Sequence, residues 1–200
     1  MVLFVGLNKL SIMVRSPFHY NIATPNYCEE GRRIVTVIKG KNPGKTFEED
    51  FISSFPIDMF TYKLRDSAGA WEGVAKGKGK IRFTPSNVCD FVAHNYYKGE
   101  TLLMELKSTQ AKSMSFTNLK KNQVIGLYNA SQYRGTSCNF IFNFRTLEET
   151  YAIDARLIME YWETSDRKSF PLDWIRKVGT FIPQQKKRTH FIYEIDKLLN

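Results

Sequence analysis

Leu102-Leu103-Met104-Glu105-Leu106-Lys107 is the stretch on which the fold of this chain turns. Side chains alternate across a β-strand, so Leu102, Met104 and Leu106 take one face while Glu105 and Lys107 share the other. Upstream, residues 90–95 read as a partner strand, joined to it around Lys98-Gly99. A hairpin centred on that turn sets Asp90 opposite Lys107 and makes Glu105 its diagonal neighbour, about 7–8 Å away at the backbone. Two carboxylates and one amine then converge on one face, and a one-residue slip of register would scatter them.

Two carboxylates on one face repel unless a cation lies between them, and Mg²⁺ takes one or two carboxylates plus waters and phosphate oxygens. A cation held there polarises a phosphate ester, while Lys107 orients water or balances charge building on the phosphorane; this is the chemistry of phosphodiester hydrolysis. On spacing alone, however, an Asp on one strand facing a Glu and a Lys on the next is more often a surface ion pair.

Working outward toward the N-terminus, Thr46-Phe47-Glu48-Glu49 reads as a capping box, with Thr46 as N-cap and Glu49 answering it. The expected helix runs over about 47–55, buries the stripe Phe47, Phe51 and Phe55, and stops before Pro56. Glu48 sits one residue off that stripe and can lean toward the sheet as a further carboxylate. Asn42-Pro43-Gly44 is a turn signal, which divides the chain into an N-terminal extension of unassigned role, 1–43, and a catalytic unit, 44–200. In Lys76-Gly77-Lys78-Gly79-Lys80-Ile81-Arg82, alternation puts Lys76, Lys78, Lys80 and Arg82 on one face of a strand or ribbon, suited to phosphate contact; a solvated lysine loop fits the same residues.

Toward the C-terminus, a helix of about 118–131 carries Leu119, Val124, Leu127 and Tyr128, with Lys120 and Lys121 in its basic first half. A strand follows with Cys138, Phe140, Phe142 and Phe144 on one side. Residues 151–163 read as a short strand passing into a helix whose inner face holds Leu157, Ile158, Tyr161 and Trp162. Pro171 opens another helix that Gly179 closes.

A chain of 200 residues with 42% hydrophobic composition suits one folded domain. Its 29 Lys+Arg against 20 Asp+Glu leave a net charge of +9, which favours polyanionic partners, nucleic acid first. Three separated cysteines with no CxxC pair suggest neither a disulfide framework nor zinc, and fit a reducing cytoplasm. His19, His94 and His190 lack metal-ligand spacing, no GxSxG elbow is present, and no signal peptide or membrane segment is read.

Taken together, Gly44-Lys45-Thr46-Phe47-Glu48-Glu49-Asp50, Cys89-Asp90-Phe91, Glu105-Leu106-Lys107-Ser108-Thr109, Asn118-Leu119-Lys120-Lys121-Asn122-Gln123 and the segments Arg167–Pro171 and Gly179–Pro183 resemble, in order and spacing, the RecU family of Holliday-junction resolvases, within the PD-(D/E)XK nuclease superfamily. The likeness spans about residues 44–199. It implies an α/β fold with a restriction-endonuclease-like core, a mixed central β-sheet flanked by α-helices. It also implies a homodimer in the cytoplasm that binds four-way junction DNA, nicks it in pairs during recombination and repair, and depends on Mg²⁺, with Mn²⁺ able to substitute. Carried over residue by residue, Asp90, Glu105 and the Leu106 carbonyl are implied metal ligands, Lys107 the catalytic lysine, and Glu48 the helix carboxylate that joins both sets. Gln123 matches a glutamine near the site. The expected DNA contacts are Lys76, Lys78, Lys80, Arg82, Lys112, Lys120, Lys121 and Gln123. Cys89 stands where the superfamily's name has proline, and the basic stalk that enters the junction is rewritten here as the lysine-glycine stretch. A duplex-cutting restriction or repair nuclease, and a non-catalytic DNA-binding recombination protein, are the competing readings.

Overall fold

The computed structural model describes residues 42–64, 87–96 and 98–199. Residues 1–41 of the 1–43 extension and the lysine-glycine stretch with Lys76, Lys78, Lys80 and Arg82 lie outside the described residues.

The first helix, α1 (Pro43–Ser53), begins earlier than the capping box suggests. Asn42 is the N-cap, its side chain accepting the Gly44 amide at 3.0 Å, and Pro43 takes the first helical position. What reads as a turn is therefore a helix start, because proline at that position supplies a helical φ and lacks only an N–H that would go unused. The expected stripe is correct: Phe47, Phe51 and Phe55 are all buried.

Next come β1 (Phe60–Lys63), β2 (Phe91–Asn95), β3 (Glu100–Thr109) and the short β4 (Ser113–Ser115). A 3-10 turn (Phe116–Asn118) leads to α2 (Lys121–Ala130), so the helix expected from 118 starts three residues later, after Lys120 in an extended conformation. The chain continues through β5 (Thr136–Phe144), β6 (Glu149–Asp154), α3 (Ala155–Thr164), β7 (Ser169–Pro171) and α4 (Leu172–Val178). It closes with β8 (Thr180–Phe181), the hairpin of β9 (Gln184–Lys186) and β10 (Phe191–Tyr193), and α5 (Asp196–Leu199).

The central sheet has six strands in the order β1-β2-β3-β5-β6-β8. All its pairings are antiparallel except β3 with β5, which run parallel from Thr101–Thr136 to Thr109–Phe144. That one parallel pair needs a crossover, and α2 supplies it. The sheet is thus mixed and flanked by helices, an α/β architecture.

Alternation along β3 and β5 feeds two cores. Leu102, Met104, Leu106 and Ile141 pack with Phe47 and Phe51 of α1, with Phe55 just beyond its end, and with Tyr193 of β10. Phe140, Phe142 and Phe144 point the other way, onto Val124 and Leu127 of α2, Ile158 of α3 and Ile175 of α4. Among the described residues no helix is long and apolar enough to cross a membrane.

Gly179 caps α4 with its amide on the Ile175 carbonyl at 2.8 Å. A Cβ there would stand 2.8 Å from that same carbonyl oxygen and 3.3 Å from the Ala152 carbonyl oxygen. Both obstacles are backbone and cannot swing aside. Gly179→Ala is therefore expected to cost about 2 kcal/mol, in the range of overpacking substitutions. Urea unfolding checks it: the midpoint should fall at constant m, and an unchanged midpoint would mean that the α4–β8 junction is looser than described.

Candidate functional site

β2 and β3 pair from Phe91–Met104 to Asn95–Glu100, which leaves the four-residue connection 96–99 and places Gly99 last, at φ 65°. The ladder ends at Phe91–Met104, and the Asp90 amide also turns to the Met104 carbonyl, so Asp90 lies level with Met104 and Glu105. The partner expected from the sequence is Lys107, so the sequence-based register is off by two. The cause is a connection centred one residue earlier, with glycine at its end, where the backbone needs a positive φ, rather than in its middle. Because the pleat repeats every two residues, a shift of two leaves Glu105 and Lys107 on the face expected for them, and Asp90 sits close enough to Glu105 to act on its carboxyl.

Backbone contacts hold the arrangement. The Asp90 amide donates to the Met104 carbonyl at 3.0 Å, and the Leu106 amide donates to Asp90 Oδ2 at 2.9 Å. In an extended strand a residue's N–H and C=O leave on the same side, so the Leu106 carbonyl also projects toward Asp90, at the end of the β2 ladder. Lys107 Nζ donates to Glu105 Oε1. Asp90, Glu105, the Leu106 backbone and Lys107 are thus one cluster.

Its electrostatics follow from where β3 lies. With β2 on one side and β5 on the other, Glu105 has no exposed surface. Burial pushes its carboxyl up to about 7, the Asp90 carboxylate adds to the rise, and the Lys107 ammonium works against it. Glu105 Oε2 is buried with no hydrogen-bond partner. An orphaned, buried carboxylate oxygen beside a second, half-buried carboxylate is a donor set suited to a hard divalent cation. Among the described residues no three His, Cys, Asp or Glu side chains group into a ready-made cage. That too is compatible with a cation that takes one or two carboxylates and completes its shell with water and phosphate.

Cys89, beside Asp90, is buried, and its thiol is pushed up to about 12 by burial and then by Glu105 and Asp90. It is an unreactive thiol that contributes packing.

Glu48 is held elsewhere. Lys63 Nζ lies 2.5 Å from Glu48 Oε2, and α1 covers the sheet face that receives Leu102, Met104 and Leu106, opposite to that of Glu105 and Lys107. Gln123 is buried and its oxygen accepts the Lys120 amide at 3.4 Å, so it caps α2 from inside rather than presenting itself to DNA. Lys112, Lys120 and Lys121 are exposed. They follow β3 and open α2, at the carboxyl end of the parallel strands, where open α/β sheets gather their ligands.

More cations lie at this end than the sequence reading expects. The Arg145 amide donates to the Thr109 carbonyl at 2.9 Å and Thr146 Oγ1 to the Gln110 carbonyl at 3.0 Å, tying the β5–β6 turn to the end of β3. Lys186 Nζ reaches Glu148 in that turn at 3.4 Å, which brings the tip of the β9–β10 hairpin alongside. The run Lys186-Lys187-Arg188 is plain in the sequence as charge. Its position beside the turn is not.

A family model described as RecU, Recombination protein U, matches residues 73–197, which include Asp90, Glu105 and Lys107 but not α1. The chain is 26% identical over 175 residues to the SPbeta prophage-derived uncharacterized protein YotM of Bacillus subtilis, covering 78% of this chain and 85% of that one. It is 28% identical over 121 residues to the Holliday junction resolvase RecU of Oceanobacillus iheyensis, covering 58% and 60% respectively. With the Holliday junction resolvase RecU of Streptococcus agalactiae it shares 33% identity over 90 residues, covering 44% of this chain and 45% of that protein. Against these two resolvases, the chain spans about half of the relatives' own length.

Proposed function

The chain belongs to the RecU family, and from that premise we propose that it is a Mg²⁺-dependent DNA endonuclease that resolves Holliday junctions by paired nicks, acting as a cytoplasmic homodimer. The observation that carries this reading is the buried Glu105, one oxygen on Lys107 and the other without a partner, beside Asp90.

Asp90, Glu105 and the Leu106 carbonyl would hold the cation, which when bound would supply Lewis-acid polarisation of the scissile phosphate. Lys107 orients the attacking water with its ammonium and balances the negative charge that grows on the phosphorane as the new P–O bond forms and the ester P–O bond breaks. Glu105 fixes that ammonium in place. The sheet keeps Glu105 dry, which strengthens its hold on the Lys107 ammonium. Glu48, held by Lys63, is left out of the ligand set. Lys112, Lys120 and Lys121 guide the DNA backbone toward the carboxyl end of β3.

The test is incubation of the purified protein with labelled four-way and linear DNA, with and without Mg²⁺. Paired nicks on the junction that require the metal, with little cutting of linear duplex, are expected. Equal cutting of both would replace the resolvase reading with that of a duplex nuclease, and binding without cutting in any divalent metal would leave a DNA-binding protein. Asp90→Asn is expected to lose cleavage while retaining junction binding; full activity in that variant would end the metal assignment.

A further inference from the structure

A cavity of about 350 Å³ opens on the other face of the sheet from Glu105, at the same carboxyl end. Its walls come from the start of α1 (Pro43, Thr46, Phe47, Asp50), the end of β5 (Asn143, Arg145) and the β9–β10 hairpin (Gln184, Phe191, Tyr193). The polar groups divide into those already engaged and those left over. Asn143 accepts from Ser108 Oγ at 3.0 Å and donates to Thr150 Oγ1 at 2.9 Å and to Gln184 Oε1 at 3.4 Å. Asp50 Oδ2 accepts the Phe191 amide at 2.9 Å and anchors the hairpin to α1.

Arg145 is the exception. Its Nε is buried with no hydrogen-bond partner, and it forms no ion pair with a described residue, Asp50 included. A guanidinium is always charged and presents a planar fork of donors, so one whose buried Nε has no acceptor leaves that fork open to an anion. The Gln184 amide nitrogen is a second donor that the Asn143–Thr150 network does not use. Phe47, Phe191 and Pro43 give the rest of the cavity an apolar wall, and Lys187 and Arg188 stand exposed at the hairpin tip next to it.

Resting on the nuclease reading above, we propose that this cavity is a nucleotide subsite: Arg145 takes a backbone phosphate of the DNA strand flanking the cut, and the aromatic wall receives that nucleotide's sugar. The strand spacing supports it. Arg145 follows Phe144, which pairs with Thr109, two residues beyond Lys107, so its backbone lies within a few residues' rise of the reacting centre, at about 3.3 Å per residue, with the side chain on the opposite sheet face, where a DNA strand crossing the carboxyl end of the sheet would meet both. Lys187 and Arg188 extend the same positive edge away from it.

The experiment is binding of the full chain to a labelled four-way junction without divalent metal, across a salt series, for the native protein, Arg145→Gln and Arg145→Lys, with cleavage measured separately in Mg²⁺. Arg145→Gln should weaken binding about tenfold and reduce the salt slope by about 0.9, the effect of one phosphate contact. Arg145→Lys, which keeps the charge and reports on the site should the glutamine variant fail to fold, should keep the slope but lose affinity with the fork. Native affinity and slope in whichever variants fold would overturn the subsite. If the native chain cuts no DNA while the Arg145 effects persist, the nuclease reading falls and the subsite stands; if it cuts and no Arg145 effect is found, the subsite falls and the nuclease stands.

Discussion

Glu105→Gln is expected to lower cleavage by about a thousandfold or more while making the metal-free protein more stable at pH 8. The two effects have one cause. Glu105 is wholly buried and its carboxyl is pushed from 4.5 to about 7, chiefly by desolvation and then by Asp90. A folded-state value above the unfolded one means that the folded chain binds the proton more tightly. The group therefore costs nothing below about pH 4.5, penalises the fold increasingly from there to about 7, and exerts its full penalty above. That penalty is about 3.5 kcal/mol at most, since each pKa unit is worth about 1.4 kcal/mol. Glutamine has no charge to desolvate, so the variant gains stability at pH 8 and little at pH 5, and it cannot serve as an anionic ligand. Divalent metal should reverse the order by compensating the native carboxylate, with proton and metal competing for it below about pH 7. Thermal melts of both proteins at pH 5 and 8, with and without Mg²⁺, measure this. A native protein no less stable than the variant at pH 8 without metal would show that Glu105 is not the desolvated carboxylate described.

The largest loss of stability is expected from Phe51→Ala. Phe51 is fully buried, with ring centroids 5.8 Å from Phe47, 5.8 Å from Phe55 and 5.3 Å from Tyr193. Removing it opens a void where α1, β3 and β10 meet, at a cost of about 3–5 kcal/mol. Against a total of about 5–15 kcal/mol for a domain, that is enough to loosen the contacts that hold the hairpin, Asp50 to the Phe191 amide and Ser54 to the Tyr193 amide. Guanidinium unfolding should show the loss directly, and Phe51→Leu, which fills much of the space, should lose markedly less. A cost below about 1 kcal/mol for the alanine variant would mean that α1 is not packed on the sheet as described.

Much of the fold is legible in the sequence. The alternation of β3, the Phe47-Phe51-Phe55 stripe and the opposed faces of β5 follow from the periods of strand and helix, which are properties of a few neighbouring residues. The register of β2 against β3 is not legible, because it depends on how the connection 96–99 turns, and two loop geometries that differ by one residue in their centre leave the same side chains on the same face. The start of α1 misleads for a similar reason: Asn-Pro-Gly is good turn chemistry and equally good helix-start chemistry, and only the chain beyond decides between them. Alternation puts Glu105 and Lys107 on one face and the family resemblance joins Asp90 to them as a set, whereas nothing local relates Arg145, Lys187 and Arg188 to the end of β3.

By itself, the order of residues determined which side chains share a face, that Asp90, Glu105 and Lys107 stand together on one of them, and that the chain as a whole is basic. Tertiary structure decided that Glu105 is dry, with one oxygen left over, and that cations far apart in sequence meet at one edge. The physical reason is that facing is set by dihedral angles within a strand, while desolvation requires neighbours on both sides. Here those neighbours are β2 and β5, and β5 reaches its place beside β3 only through a helical crossover.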